Sequence, residues 1–311
     1  MKEKSQDHDQ LVLVKSNSTR ETYNNLCDLL DNHNKVHYLR FGDGDLFIMM
    51  ERNENVHDYN EKLGKELYQS FAIDHPCYLR GLVIDFPYEW GMTKGIFEKF
   101  YYNDEMRDFI IEKFKITEST VFESALFPLY YSVFRPKEMN RFLDKYIRPK
   151  RKMFIGSIPE LEMRRLFSEI EYYIPIPGQN AYASMDSWWP EVLKHIDDVD
   201  LVIPAAGVAT RVISKRLWEL DKEVVVIDFG SIVDGVSSLP STRKWLKLKR
   251  HVLNRILLPE FRDNSLAYWV RYLIKETGFL LRYAYYKMDP LKHIPILSKA
   301  KWDRERPYEK A

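Results

Sequence analysis

The stretch DLVIPAAGVATRVISKRLWELDKEVVVIDFG, residues 200–230, holds two apolar runs, each closed by a glycine, with an amphipathic segment between them. Within that segment Val208, Val212, Ile213 and Leu217 fall on one side of a helix. The flanking runs are continuously apolar and do not alternate, which is the pattern of strands covered on both faces. Strand, helix and strand in this order predict a crossover in a parallel sheet. The same signal repeats upstream. KMFIGS (152–157) and YYIPIPG (172–178) each run into a glycine, and VHYLRF (36–41) stops at the Gly-Asp-Gly-Asp of residues 42–45. CYLRGLVI (77–84) reads as another strand, and residues 19–33, 61–71, 103–114 and 136–146 read as helices. The expectation is an α/β, Rossmann-like fold: a mostly parallel sheet with helices on both faces.

Composition agrees. The chain has 311 residues, 45% hydrophobic and 14% aromatic, enough for one large core and unlike a disordered or collagen-like chain. Cys27 and Cys77 stand in no metal-ligand spacing, so a reducing compartment is expected. The N-terminal MKEKSQDHDQ is not a secretory signal, and no run of 18 apolar residues predicts a membrane span. The expected location is cytoplasmic.

The formal charge of +1 conceals an uneven distribution. Residues 1–240 hold 30 Lys and Arg against 39 Asp and Glu, whereas residues 241–311 hold 17 against 7. Three parts are predicted: a flexible leader (1–17), a catalytic body (18–240) and a basic, aromatic-rich helical extension (241–311). The extension either docks on the acidic body or meets an anionic partner, including the surface of an anionic membrane. No nucleic-acid motif accompanies it.

In open parallel sheets ligands bind at the carboxyl ends of the strands, and the Gly, Asp and Ser clusters of this chain fall there. Asp43 and Asp45 come first. Two carboxylates where a strand meets a turn suit a hard divalent ion with positions left for phosphate oxygens, and Arg40, Gly42 and Gly44 surround them. The plainer reading is a solvated acidic turn. GxGxxG and GxxxxGK[ST] are both missing, which removes the usual dinucleotide and P-loop sites. The run from Pro204 to Arg211 offers small residues around Gly207 at a helix start, suited to a phosphate or simply to tight packing. Asn180, Ser184 and Asp186 form a polar link after a buried strand, able to grip a ribose or sugar. Asp228, with Gly230, Ser231 and Asp234 beyond it, is a base, a hydroxyl ligand or a loop cap. Arg80, Asp85, Glu89 and Trp90 lie near another strand end, where an aromatic ring beside carboxylates suits carbohydrate. Trp90, Trp188 and Trp189 are equally ordinary core residues.

Taken together, RFGDGD (40–45), IPIPGQNAYASMD (174–186), DLVIPAAGVATRVISKRL (200–217) and VVVIDFG (224–230) resemble the GT-D-type glycosyltransferases, formerly a domain of unknown function. The resemblance spans about residues 18–238. It implies a Rossmann-like sheet, a nucleoside diphosphate sugar as donor and a divalent ion, Mn²⁺ or Mg²⁺. Asp43 matches the first acid of the family's DxE motif, and Asp45 stands where the family has glutamate. Asn180, Asp186, Gly207, Asp228 and Gly230 match further family positions, while Ser231 replaces a histidine common there. The resemblance implies transfer of a hexosyl group to a carbohydrate hydroxyl on a glycan, glycoprotein or polysaccharide precursor. Asp43 and Asp45 would hold the metal. Arg40, Gly42, Gly44, Asn180, Ser184, Gly207 and Gly230 would line the donor site, and Asp186, Asp228 and Asp234 are candidate bases. Two other readings stand beside it: a metal-dependent phosphoesterase or sugar-nucleotide hydrolase, and a non-catalytic carbohydrate-binding or scaffold relative.

Overall fold

The computed structural model describes residues 15–54, 57–82, 104–117, 120–237, 254–257 and 270. The predicted sheet is there. Eight strands run in the order β1-β4-β3-β2-β8-β7-β5-β6. They are β1 (Lys15–Ser16), β2 (His37–Phe41), β3 (Tyr78–Leu82), β4 (Val121–Ser124), β5 (Lys152–Gly156), β6 (Tyr172–Pro175), β7 (Leu201–Ala205) and β8 (Val225–Ile227). All the pairings among them are parallel. β1, which falls within the expected leader, lies alongside β4. The N-terminal and C-terminal halves of the sheet meet where β2 pairs with β8, His37 opposite Val226.

The continuous apolar runs are explained by burial on two sides. Along β5, Met153 and Ile155 enter one core cluster while Phe154 enters the other. In β8, Val226 faces the first and Val225 and Ile227 the second. Helices α3 (Glu61–Ala72), α8 (Met185–His195) and α9 (Ala209–Glu219) contribute Leu67, Val192 and Val212 to the first cluster. Helices α1 (Thr19–Asn32), α6 (Pro136–Phe142) and α7 (Glu160–Phe167) contribute Leu26, Phe142 and Leu166 to the second. α1 begins in a capping box: Glu21 N–H donates to Ser18 Oγ, and the Glu21 carboxylate accepts from Ser18 N–H.

One local expectation changes. The Asp-Gly-Asp segment is not a turn but the opening of a helix, α2 (Asp43–Met49), with Gly42 as its N-cap. Carboxylates in a first helical turn are favoured by the helix dipole, and Asp45 also accepts the N–H of Gly42 at 2.8 Å. The polar link after β6 is likewise ordered, as a 3₁₀ turn (Ala181–Ser184) running into α8. Helices α4 (Asp104–Phe114) and α5 (Phe127–Phe134) complete the set up to β5, and the short α10 (Ile232–Val236) follows β8. Asp85, Glu89, Trp90 and almost all of the basic extension, with its expected aromatic helix and membrane contact, lie outside the described residues. No helix among the described residues is long and apolar enough to cross a membrane.

Candidate active site

The site is built at the carboxyl ends of three adjacent strands. β2 delivers Asp45 through α2, β7 delivers Gly207 and Arg211 through the start of α9, and β8 ends directly on Asp228. Arg211 is the centre. Its Nη2 donates to Asp45 Oδ2 at 2.8 Å, its Nη1 donates to the Gly207 carbonyl at 2.8 Å, and Nη1 lies 3.3 Å from Asp228 Oδ2. The guanidinium also sits over the Phe41 ring, 5.8 Å from its centroid. Exposure is 3% for Asp45, 3% for Asp228 and 8% for Arg211, so the ion pairs are removed from bulk water.

That burial has electrostatic consequences. It pushes the Asp45 carboxyl up to about 7, against the pull of Arg211 and the Gly42 N–H, with the charges of Asp228 and Glu54 acting in the same direction as burial. Asp45 Oδ1 and Asp228 Oδ2 are both buried and accept no hydrogen bond. The other oxygen of Asp228 accepts from the Gly230 N–H at 2.7 Å.

Gly207 and Gly230 follow neighbouring strands, and both adopt left-handed backbone, with φ of +59° and +57°. A side chain is also excluded at each by a neighbour. A Cβ at 230 would lie 1.1 Å from Arg40 Nη1, and one at 207 would lie 2.6 Å from His57 Cε1. Arg40 therefore packs its guanidinium on the Gly230 backbone while its Nε donates to the Ala125 carbonyl.

The remaining predicted residues are placed as follows. Asp43 is half-buried in the first turn of α2, and Gly44 lies beside Glu54, whose Oε2 is 3.4 Å from where a Cβ would stand. Asn180, left-handed at φ +50°, accepts from Asp58 N–H at 2.8 Å and donates to Asp58 Oδ2 at 2.9 Å. It thereby ties the loop after β6 to the segment that carries His57. Ser184 Oγ donates to the Ala181 carbonyl within its own turn. Asp186 is exposed on α8, where its charge acts on Tyr182 and Arg216. Asp234 is half-buried on α10. The structure thus gathers Gly42, Asp45, Gly207, Asp228 and Gly230 around Arg211, while Asp186 lies in a different charge cluster.

Three residues of this neighbourhood escape a reading of the sequence: Arg211, Glu54 and His57. Arg211 does leave a signal. A cation in the first turn of a helix opposes the dipole and calls for a carboxylate partner. Glu54 and His57 sit in a polar segment, ERNENVHDYN, whose pattern does not distinguish them from solvent-facing residues.

Among the described residues no group of three His, Cys, Asp or Glu side chains forms a metal centre. Asp45 Oδ1, a buried carboxylate oxygen with no protein donor, fits a ligand to an ion such as Mg²⁺ or Mn²⁺, which commonly takes one or two carboxylates and completes its shell with phosphate oxygens and water.

Comparison with protein-family models finds no match, and comparison with curated proteins finds none either. Solved structures do match. A new glycosyltransferase (domain of unknown function 1792) from Streptococcus sanguinis superimposes with a TM-score of 0.53 at 15% identity, over 70% of this chain and 81% of that one. A selenomethionine-substituted structure of domain of unknown function 1792 superimposes with a TM-score of 0.50 at 20% identity, over 70% and 78%. The chain shares their fold. At these identities the likeness concerns the path of the backbone, and it agrees with the Rossmann-like architecture implied by the RFGDGD and IPIPGQNAYASMD segments.

Proposed function

We propose that the chain is a metal-dependent glycosyltransferase that moves a hexosyl group from a nucleoside diphosphate sugar to a carbohydrate hydroxyl. One observation carries the reading: a buried Asp45–Arg211–Asp228 cluster at the carboxyl ends of β2, β7 and β8, in which Asp45 Oδ1 is left without a donor. The fold shared with a glycosyltransferase supports it.

In this reading Asp45, with Asp43 two residues before it in the first turn of α2, would hold the divalent ion, which would supply neutralising charge to the departing diphosphate. Arg211 fixes the Asp45 carboxylate through Oδ2 and leaves Oδ1 for the ion. Arg211 also keeps two like charges, Asp45 and Asp228, in one small volume that would otherwise expel one of them. Gly207 and Gly230 are proposed to line the donor site together with His57 and the Arg40 guanidinium, which occupy the space their missing side chains leave. Asn180 and Ser184 border the sugar and nucleoside. Asp228, Asp186 and Asp234 are the carboxylates proposed to receive the acceptor proton, and Asp228 shares Arg211 with Asp45.

Titration calorimetry with UDP and with GDP, first with Mn²⁺ and then with chelator, tests the reading. Binding of one nucleotide that requires the ion is expected. Equal affinity with and without the ion contradicts the metal role, and no binding in either condition contradicts the donor site. Release of free sugar to water with no transfer to an acceptor would assign hydrolysis instead.

A further inference from the structure

Among the described residues of the polar segment between α2 and α3, one side chain that the proposed mechanism does not use is deeply buried. His57 is 2% exposed. Its Nδ1 lies 2.9 Å from Glu54 Oε1, and the Glu54 N–H donates to the His57 carbonyl at 3.0 Å, so the two residues clasp each other through side chain and backbone. The other oxygen of Glu54 abuts Gly44 of α2. Immediately after His57, Asp58 is held by both arms of the Asn180 amide. The ring is therefore fixed from α2, from the β6 loop and from its own backbone.

What the ring touches is the turn that sets Arg211. His57 Cε1, Nδ1 and Nε2 lie 2.6, 3.3 and 3.7 Å from the point a Cβ would occupy on Gly207, so the imidazole edge fills the side-chain space of that residue. The Gly207 carbonyl is the acceptor for Arg211 Nη1, and the second prong of the same guanidinium holds Asp45. His57 Nε2, meanwhile, is buried with no hydrogen-bond partner. An apolar ring would fill this space without that standing cost. The imidazole offers what an apolar ring lacks: a nitrogen by which Glu54 fixes the angle of its edge against Gly207.

We propose that His57 is a positioning residue: oriented by Glu54, it seats the Gly207 turn and through it aims Arg211 at Asp45. The proposal goes beyond the transferase reading and rests on it only where nucleotide binding is measured. Outer residues that orient ligand-holding groups typically contribute about ten- to a hundredfold in affinity or activity.

Hydrogen exchange of the full chain, read by peptide, tests the proposal together with Mn²⁺–UDP affinity. In His57→Ala, exchange is expected to quicken at residues 207–211 and at 42–45, while β5 (152–156) keeps its protection. Affinity for Mn²⁺–UDP is expected to fall about tenfold, and excess imidazole should restore both by refilling the space over Gly207. Unchanged exchange at 207–211, an equal rise in β5, or no response to imidazole would overturn the proposal. If His57→Ala does not fold, Glu54→Leu removes the acceptor of the hook without deleting the ring over Gly207, and the same local quickening is expected; its absence overturns the proposal. A wild-type chain that binds neither Mn²⁺–UDP nor Mn²⁺–GDP contradicts the transferase reading, and the exchange result still decides the role of His57.

Discussion

A carboxylate that is 3% exposed, with one oxygen held by Arg211 and the other left bare, is expensive to keep charged. The upward displacement of Asp45 to about 7, driven first by burial, records that expense. A neutral isostere removes that expense, and Asp228 remains beside Arg211 as its carboxylate partner. Asp45→Asn is expected to lose transfer activity and to remain folded at neutral pH. Thermal melts beside a donor-sugar assay check this. A variant that still turns over removes Asp45 from the mechanism. At this scale the sequence was only partly legible. Asp45, Asp228 and the two glycines announced themselves by standing at strand ends. Arg211 was visible only as the last letter of a helix start, because nothing local says which carboxylates a guanidinium will reach across 166 positions of chain.

The packing of α9 on α3 is where two elements are locked together by charge. Arg216 grips Glu66 with both prongs, Nε to Oε2 at 3.0 Å and Nη2 to Oε1 at 2.7 Å, and the Tyr182 hydroxyl donates to the same carboxylate at 2.8 Å. Burial raises the Glu66 carboxyl, but Arg216, Tyr182 and Lys215 together outweigh it and hold the group below the usual range. Glu66→Gln leaves Arg216 without its carboxylate and is expected to cost about 2–3 kcal/mol, less than for a fully enclosed pair because Arg216 keeps partial contact with water. Urea unfolding gives the number, and a loss under about 0.5 kcal/mol would class the pair with surface ion pairs. Long periodic elements were legible: α1 and α3 to within a residue at either end, and α9 to within a residue at its start. α2 was not, because a seven-residue helix opening on Asp-Gly-Asp has the letters of a turn and is settled by where Asp45 finds its partners. The short α7 and β4 were missed for a related reason: each is too brief for its period to stand out.

The whole sheet was the most legible feature, since strands covered on both faces leave continuous apolar runs that no surface element would carry. Its centre also holds a titratable group. His37 of β2 is fully enclosed, bonded through Nδ1 to Ser214 Oγ at 2.7 Å, and burial, reinforced by Lys35, lowers its ring to about 3. The folded chain keeps the ring neutral, whereas the unfolded chain protonates it below about 6.5. Its contribution to stability is thus complete above pH 6.5 and is lost as pH falls from there toward 3, by up to about 1.4 kcal/mol per pH unit. Urea midpoints between pH 7 and 5 should fall less steeply in His37→Asn, which keeps a hydrogen-bonding group near the Nδ1 position. Parallel profiles would show that His37 does not govern acid sensitivity. The central claim is that the meeting of β2, β8 and β7 is where a nucleoside diphosphate binds. A crystal of the protein soaked with Mn²⁺ and UDP or GDP tests it most directly. The account predicts a diphosphate at the carboxyl ends of these strands, with the ion on Asp45; an empty, occluded crevice, or a nucleotide seated elsewhere, would contradict it.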